Sequence, residues 1–469
     1  MKTSRILIPA WLLSLFFVLS VFAPAPGQQS RGQSRPAHER GNSPPAKDAR
    51  PRLVLLIVVD QFRYDYLNRF GNLFGTRGIG RLMREGALWT ETNFDQMPTF
   101  TAPGHAVFMT GAWPSQTGII ANEWYERDTG RKVKSVTDDS TIKLAGKPGE
   151  KGYSPRRLLC STVGDELRIA DGDQSKVIGI SAKDRSAILP VGRRANAAYW
   201  FGTDNGNMVS STYYFKQEPE WVDRFNSRHL ADKLFGARWD RLLPEAEYLK
   251  RAGKDDVPWE NLDKSSADTN FFPHVITGGA SKPERPFYKA IDYTPFSNDL
   301  LVSFAEEAIQ NEKLGEDAET DLLSISFSAN DYAGHRFGPY SQETMDMTLR
   351  VDRQIGTLLD FVDARVGLQH TVVIFTSDHG AAPIPEQAAL MNLPGRRYQK
   401  AELRRLVEDG LRAKYARKDR PANDYLQTFA NRNEIEEGLI NANFYLNRAA
   451  LARDGIDLDE CERLVGELS

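Results

Sequence analysis

The sequence predicts an α/β protein, a doubly wound and mostly parallel sheet flanked by helices, and three observations predict it. Four short runs of aliphatic and β-branched residues read as strands buried on both faces: Leu53-Val-Leu-Leu-Ile-Val-Val59, Val177-Ile-Gly-Ile-Ser181, Leu322-Leu-Ser-Ile-Ser-Phe327 and Thr371-Val-Val-Ile-Phe375. Between the last two, Met345, Leu349, Ile355, Leu358 and Val362 give Thr344–Val362 the spacing of an amphipathic helix. Every run also ends in polar or charged residues, and open α/β sheets bind ligands at the carboxyl ends of their strands.

Taken in order, the 469 residues begin with Lys2 and Arg5, an apolar run from Ile6 to Phe22, and the small residues Ala23-Pro24-Ala25. This pattern predicts a secretory signal over residues 1–27. The competing reading is an uncleaved anchor. Pro9, the short apolar length and the small residues favour cleavage, and with no cysteine near the cleavage region a lipid anchor is disfavoured. Residues 28–50 are rich in Gln, Ser, Arg, Pro and Gly and predict a disordered leader. One large domain is expected over 51–469, with order beginning near Arg52. Pro103 and Gly111 bracket a helix after Pro98-Thr-Phe-Thr101, proline in its first turn and glycine past its end. Residues of about 196–320, rich in aromatics, Asn and Pro, are expected to form a cap-like insertion over the sheet. Beyond Pro383 the pattern is helical and charged, best over Ala401–Tyr415.

Composition narrows the function. Hydrophobic residues are 41% and charged residues 26%, an ordinary globular balance. The net charge of −3 offers no basic field, so nucleic acid is not expected as the primary partner. No second apolar run spans a bilayer, and no stable membrane anchor is expected. Two cysteines, Cys160 and Cys461, build neither a disulfide framework nor a thiolate metal site, although a single bridge or two independent thiols both remain open.

The strand ends carry the chemistry. Asp60, Lys183, Asp331 and the Asp378-His379 pair each follow a buried strand. Asp331-x-x-x-His335 puts a carboxylate and an imidazole on one side of a helical turn. Only seven histidines occur in the chain, and mixed Asp and His ligands suit zinc above calcium or magnesium. Thr101 stands at the start of the predicted helix, where two readings hold: a helix cap, or a hydroxyl placed where free N–H groups hold a phosphate and a metal activates the oxygen for attack.

Several of these stretches together resemble the alkaline phosphatase superfamily, in the branch of the type I phosphodiesterases and nucleotide pyrophosphatases. They are Val58-Val-Asp-Gln61, Pro98-Thr-Phe-Thr-Ala-Pro-Gly-His105, Thr110-Gly111, Gly118-Ile119, Asn122, Asp331 to His335 and Ser377-Asp-His-Gly380. Lys183-Asp-Arg185 makes the resemblance strongest to bacterial alkaline phosphatases of the PafA type, which use a threonine nucleophile. The resemblance implies two zinc ions. Asp60, Asp378, His379 and the Thr101 oxygen would hold one, and Asp331 and His335 the second. It implies that Asn122, Lys183 and Arg185 contact phosphoryl oxygens, and that Thr101 attacks phosphorus to form a phosphothreonine that is then hydrolysed. Two cations beside the site favour small phosphate monoesters over diesters, since a monoester dianion carries the greater charge. A phosphodiesterase or nucleotide pyrophosphatase is the alternative, and Thr101 disfavours a sulfatase, whose formylglycine derives from Cys or Ser. An exported protein, periplasmic or secreted, is expected.

The chain departs from the family in one respect. The family supplies a third, histidine ligand to the second zinc far downstream, and no histidine follows His379. The expectation is that the C-terminal part of the domain is missing. A fragment, a truncated gene and a shortened protein with a weakened or inactive phosphate- and zinc-binding site remain as explanations.

Overall fold

The computed structural model describes residues 50–260, 269–415, 425–427, 439–440 and 443–469. The expected signal and nearly all of the leader lie outside them. Eight strands form one sheet: β1 (Leu53–Val59), β2 (Thr137–Leu144), β3 (Lys151–Tyr153), β4 (Val177–Ser181), β5 (Ala197–Gly202), β6 (Asn207–Ser211), β7 (Asp321–Phe327) and β8 (Thr371–Thr376). Their order is β8-β1-β7-β4-β5-β6-β2-β3. The first five in this order run parallel, and β6, β2 and β3 add antiparallel pairings at one side.

Alternation along β1 builds two cores. Leu53, Leu55, Ile57 and Val59 enter one hydrophobic cluster, while Leu56 and Val58 enter the other. Helix α1 (Thr101–Thr110) and the short α2 (Asp184–Ile188) cover the second face through Ala102, Ala106, Met109, Ala187 and Ile188. Helices α3 (Pro295–Asn311), α4 (Ala329–Phe337) and α5 (Gln342–Arg365) cover the first, with Leu301, Phe304, Ala308, Ile355 and Leu358 inside. Helices on both faces of a mostly parallel sheet are the predicted architecture. The predicted strands agree with β1, β4, β7 and β8 to within a residue, and Thr344–Val362 lies inside α5.

The span expected as a cap-like insertion is built differently at both ends. Ala197-Ala-Tyr-Trp-Phe-Gly202 is β5, buried at every residue, and with β6 it extends the sheet. Its aromatics face the cores rather than a ligand. At the other end α3 packs on the sheet, and in the stretch between β6 and α3 Trp221 and Phe225 join the same core while Asn226 bonds to Met208 of β6. The C-terminal stretch, α6 (Lys400–Tyr415), α7 (Arg448–Asp454) and α8 (Leu458–Leu468), has its own small core of Val407, Leu411, Leu451, Cys461 and Val465. Cys461 is buried there, and it and Cys160 are both free thiols.

Candidate metal centre and nucleophile

The strand order brings the chain's chemistry to one edge. β1 lies between β7 and β8, so Asp60 after β1, Asp331 in the first turn of α4 after β7, and Asp378-His379 after β8 emerge side by side. Lys183 arrives from β4 on the far side of β7. Residues up to 319 positions apart in sequence become neighbours through this register alone.

Asp60, Asp378 and His379 form a compact buried group, the one cluster of metal-ligating type among the described residues. His379 Nε2 lies 3.4 Å from Asp60 Oδ1 and 3.6 Å from Asp378 Oδ2. Both of those oxygens are buried; Asp60 Oδ1 has no hydrogen-bond partner, and the nearest donor to Asp378 Oδ2 is His105 Nδ1 at 3.1 Å. The His379 ring donates from Nδ1 to the Gly380 carbonyl at 2.8 Å, which aims Nε2 at the two oxygens. Three atoms of metal-ligating type thus converge on one point. Ligands about 2.0–2.2 Å from a tetrahedral zinc stand about 3.3–3.6 Å apart, so the spacing fits such an ion.

The charge balance points the same way. Asp60, Asp331 and Asp378 meet a single Lys183 ammonium, which donates to Asp60 Oδ2 at 2.7 Å and to Asp331 Oδ2. Burial, with Asp331 and Asp378 adding repulsion, pushes the Asp60 carboxyl up to about 7. Burial opposes ionisation of Asp331 as well, but Lys183, His335 and His379 outweigh it and hold that carboxyl well below the usual range. In Asp378 burial is outweighed by His379 and His105, to the same effect. Burial works against the His379 imidazolium, yet the three carboxylates raise its pKa. Three buried carboxylates drawn together in this way are a setting that a bound cation would stabilise.

The expected second pair is less complete. His335 Nε2 lies 3.1 Å from Asp331 Oδ1, but its side chain is 70% exposed. Gln61 Nε2 also donates to Asp331 Oδ1, at 2.7 Å, so both Asp331 oxygens are already engaged. No third residue completes a compact group with this pair among the described residues.

Thr101 is the first residue of α1, and Phe100 caps the helix without a side-chain bond, so capping does not account for the threonine. Thr101 is 3% exposed. The first turn is locked to the metal cluster. A Cβ on Gly104 would lie 2.2 Å from the Asp378 carbonyl oxygen, so the helix approaches the Asp378 backbone as only glycine allows. One turn on, His105 Nδ1 donates to the Thr101 carbonyl at 2.8 Å and lies 3.1 Å from Asp378 Oδ2. Its Nε2 meets the Ser326 hydroxyl at 2.9 Å. His105 packs against Phe108, as its place one turn into the helix suggests, but it also braces Asp378.

Asn122 accepts from the Ala102 N–H through Oδ1 at 2.8 Å, beside Thr101. Lys183 sits on two carboxylates rather than on an open anion position, and it lies 4.7 Å above the Tyr332 ring. Arg185 keeps its Nε buried and unpartnered. Sequence reasoning assigned no role to Gln61, Gly104 or Ser377. The Ser377 hydroxyl accepts from the Phe62 N–H and donates to the His379 carbonyl, tying the β1 and β8 ends together.

A mostly parallel sheet with a buried Asp-Asp-His cluster at its strand ends, beside a helix N-terminus, defines an α/β protein with a group that could hold a metal ion. The sequence profile of the type I phosphodiesterases and nucleotide pyrophosphatases matches residues 54–439, and the chain belongs to that family. The alkaline phosphatase PhoV of Synechococcus elongatus is 41% identical over 342 residues, 73% of this chain and 61% of that protein. The alkaline phosphatase PafA of Elizabethkingia meningoseptica is 37% identical over 334 residues, 71% of this chain and 60% of that protein. The chain thus spans about three-fifths of the length of these relatives. The crystal structure of wild-type PafA superposes with a TM-score of 0.76 at 32% identity, covering 89% of this chain and 76% of that one.

Proposed function

We propose that this protein is an exported, metal-dependent phosphate monoester hydrolase that works through a phosphothreonine at Thr101. The observation that carries the proposal is the pair of buried oxygens, the unpartnered Asp60 Oδ1 and the adjacent Asp378 Oδ2, facing His379 Nε2 beside the helix that begins at Thr101. Two relatives named as alkaline phosphatases support it.

Asp60, Asp378 and His379 would hold one zinc, and Asp331 with His335 would hold a second. The bound metal supplies positive charge for the developing phosphoryl transition state and favours the ionised hydroxyl of Thr101. The chain's own residues do the rest. In the first turn of α1 the Ala102 N–H goes to Asn122, Pro103 has none and the Gly104 N–H goes to the Phe100 carbonyl, so a phosphoryl oxygen beside Thr101 would rely mainly on side-chain donors. Asn122 anchors that turn through Ala102 and keeps its amide hydrogens for the anion. The unpartnered Nε of Arg185 and the ammonium of Lys183 supply cationic donors for the extra charge of a monoester dianion.

The test is hydrolysis of an aryl phosphate and of the matching diester by the purified, zinc-supplemented chain. Monoester turnover should dominate, and Thr101→Ala should lower it by at least about 10³-fold. Lys183→Ala and Arg185→Ala should each cost the monoester about 10-fold more than the diester. Equal losses would favour the phosphodiesterase alternative, and zinc binding without turnover would point to a protein that binds but does not catalyse.

A further inference from the structure

We propose that Gln61 is the positioning residue that sets both halves of the candidate metal centre at once; this rests on the metal reading above. Gln61 follows Asp60 directly and closes the turn after β1, where the Phe62 N–H returns to the Val59 carbonyl at 3.2 Å. Its φ is 61°, in the left-handed region that favours glycine. A glutamine held there and 4% exposed calls for a compensating role.

The role is visible in its two polar ends. The backbone N–H of Gln61 donates to Asp378 Oδ1 at 3.1 Å, an oxygen that also accepts from the His379 N–H at 3.0 Å. With Oδ1 saturated, the carboxylate plane is fixed and Oδ2 is turned toward Asp60 and His379. The side-chain amide of Gln61 reaches the other way and donates from Nε2 to Asp331 Oδ1 at 2.7 Å. One residue therefore orients a ligand from the β8 end and a ligand from the β7 end, while its own chain neighbour Asp60 is the ligand between them. Only the left-handed turn lets backbone and side chain diverge to both carboxylates.

The glutamine amide is held from behind by α4. A Cβ at Gly334, one turn after Asp331, would lie 2.0 Å from Gln61 Oε1. Helix α4 thus has a glycine where the amide passes, and the amide oxygen facing Gly334 fixes the amide nitrogen on Asp331. A glutamate in place of Gln61 would set a carboxylate against Asp331.

The test measures zinc stoichiometry and affinity of the full chain by competition with a chromophoric chelator, with circular dichroism and thermal melting as checks on folding. Gln61→Gly keeps the backbone N–H and suits the left-handed φ, so it should fold and hold the zinc of Asp60, Asp378 and His379 within about 3-fold. Its affinity for the zinc of Asp331 and His335 should fall about 10–100-fold, as expected when a ligand's orienting partner is removed. Gln61→Glu should lose more. Gly334→Ala, which pushes on the same amide from the helix, should resemble Gln61→Gly, and the double variant should be no worse than either single change. Unchanged affinity in Gln61→Gly, or additive losses in the double variant, would overturn the inference. A wild-type chain that takes up a single zinc would also overturn it and leave the first centre standing. A wild-type chain that takes up none would instead sink the metal reading itself.

Discussion

Gly104→Ala sets two known effects against each other in one helix. Alanine in place of a helical glycine stabilises by up to about 1 kcal/mol through propensity alone. At residue 104, however, the added Cβ would lie 2.2 Å from the Asp378 carbonyl oxygen, 2.9 Å from its carbonyl carbon and 3.0 Å from its Cβ. The obstacle is backbone on a buried strand end, which does not rotate away, so α1 must withdraw by about 1 Å. Overpacking of this kind costs about 1–3 kcal/mol, so set against the full propensity gain the net change is a loss of up to about 2 kcal/mol. For a domain of this size that is at most about 2 °C in melting temperature, and a urea midpoint is the better measure. The functional loss should be larger than the stability loss. Withdrawal of α1 moves Thr101 from the cluster and pulls His105 from Asp378, and a misplacement of about 1 Å costs on the order of 10²-fold in rate. Monoesterase assay, zinc affinity and urea unfolding on one preparation read the three consequences together. A Gly104→Ala protein with an unchanged or higher urea midpoint and full zinc affinity would refute the close approach of α1 to Asp378.

Other perturbations follow from the same contacts. Zinc at 100 times its dissociation constant should raise the unfolding free energy by about 2.7 kcal/mol, and Asp378→Asn should abolish most of that gain in melts with and without chelator. Asp352 accepts from Gly75 N at 2.7 Å and Gly80 N at 3.1 Å while itself 2% exposed, so Asp352→Ala should cost about 2–3 kcal/mol in urea unfolding with little change in slope. Burial, then Glu343 and Asp255, push the Glu260 carboxyl up to about 10, and its Oε2 is buried without a partner. Below the ordinary carboxyl pKa both folded and unfolded states carry the proton and nothing is lost. Between that value and about 10 the unfolded chain ionises while the fold keeps Glu260 neutral, so stability falls as pH rises, by at most about 1.4 kcal/mol per unit. Glu260→Gln should therefore gain on the wild type steadily from pH 5 to pH 9, and parallel stability curves would contradict this.

The parts of the fold legible in the sequence are those whose cause is local. A strand buried on both faces must be apolar along its length, and β1, β4 and β7 were readable for that reason; β8 has the same apolar run but is an edge strand with Val372 and Ile374 exposed, so the expectation of burial on both faces fails there. The antiparallel side of the sheet was not readable. Tyr199-Trp200-Phe201 in β5 resembles a binding surface until Phe304 and Trp221 are seen packed on Tyr199. Thr137-Asp-Asp-Ser-Thr141 in β2 is too polar to read as a strand, and its Asp138 turns inward to the Ser154 hydroxyl.

The candidate site divides along the same line. Asp60, Asp378 and His379 could be named because they follow a strand within a few residues, Asp331 and His335 because they share one helical turn, and each of these is a local feature. How those ligands are aimed depends on pairs far apart in the chain. Gln61 reaches Asp331 across 270 positions and Asp378 across 317, and Gly104 and Gly334 matter only because Asp378 and Gln61 come to lie against them. A glutamine or a glycine in isolation carries no signal of such a role. Two chains with the same Asp, His and Thr residues at these strand ends can therefore differ in metal affinity through residues 61 and 334 alone. On this geometry the pair should change together: a side chain at 334 is compatible only with a residue at 61 that has no amide pressing toward it.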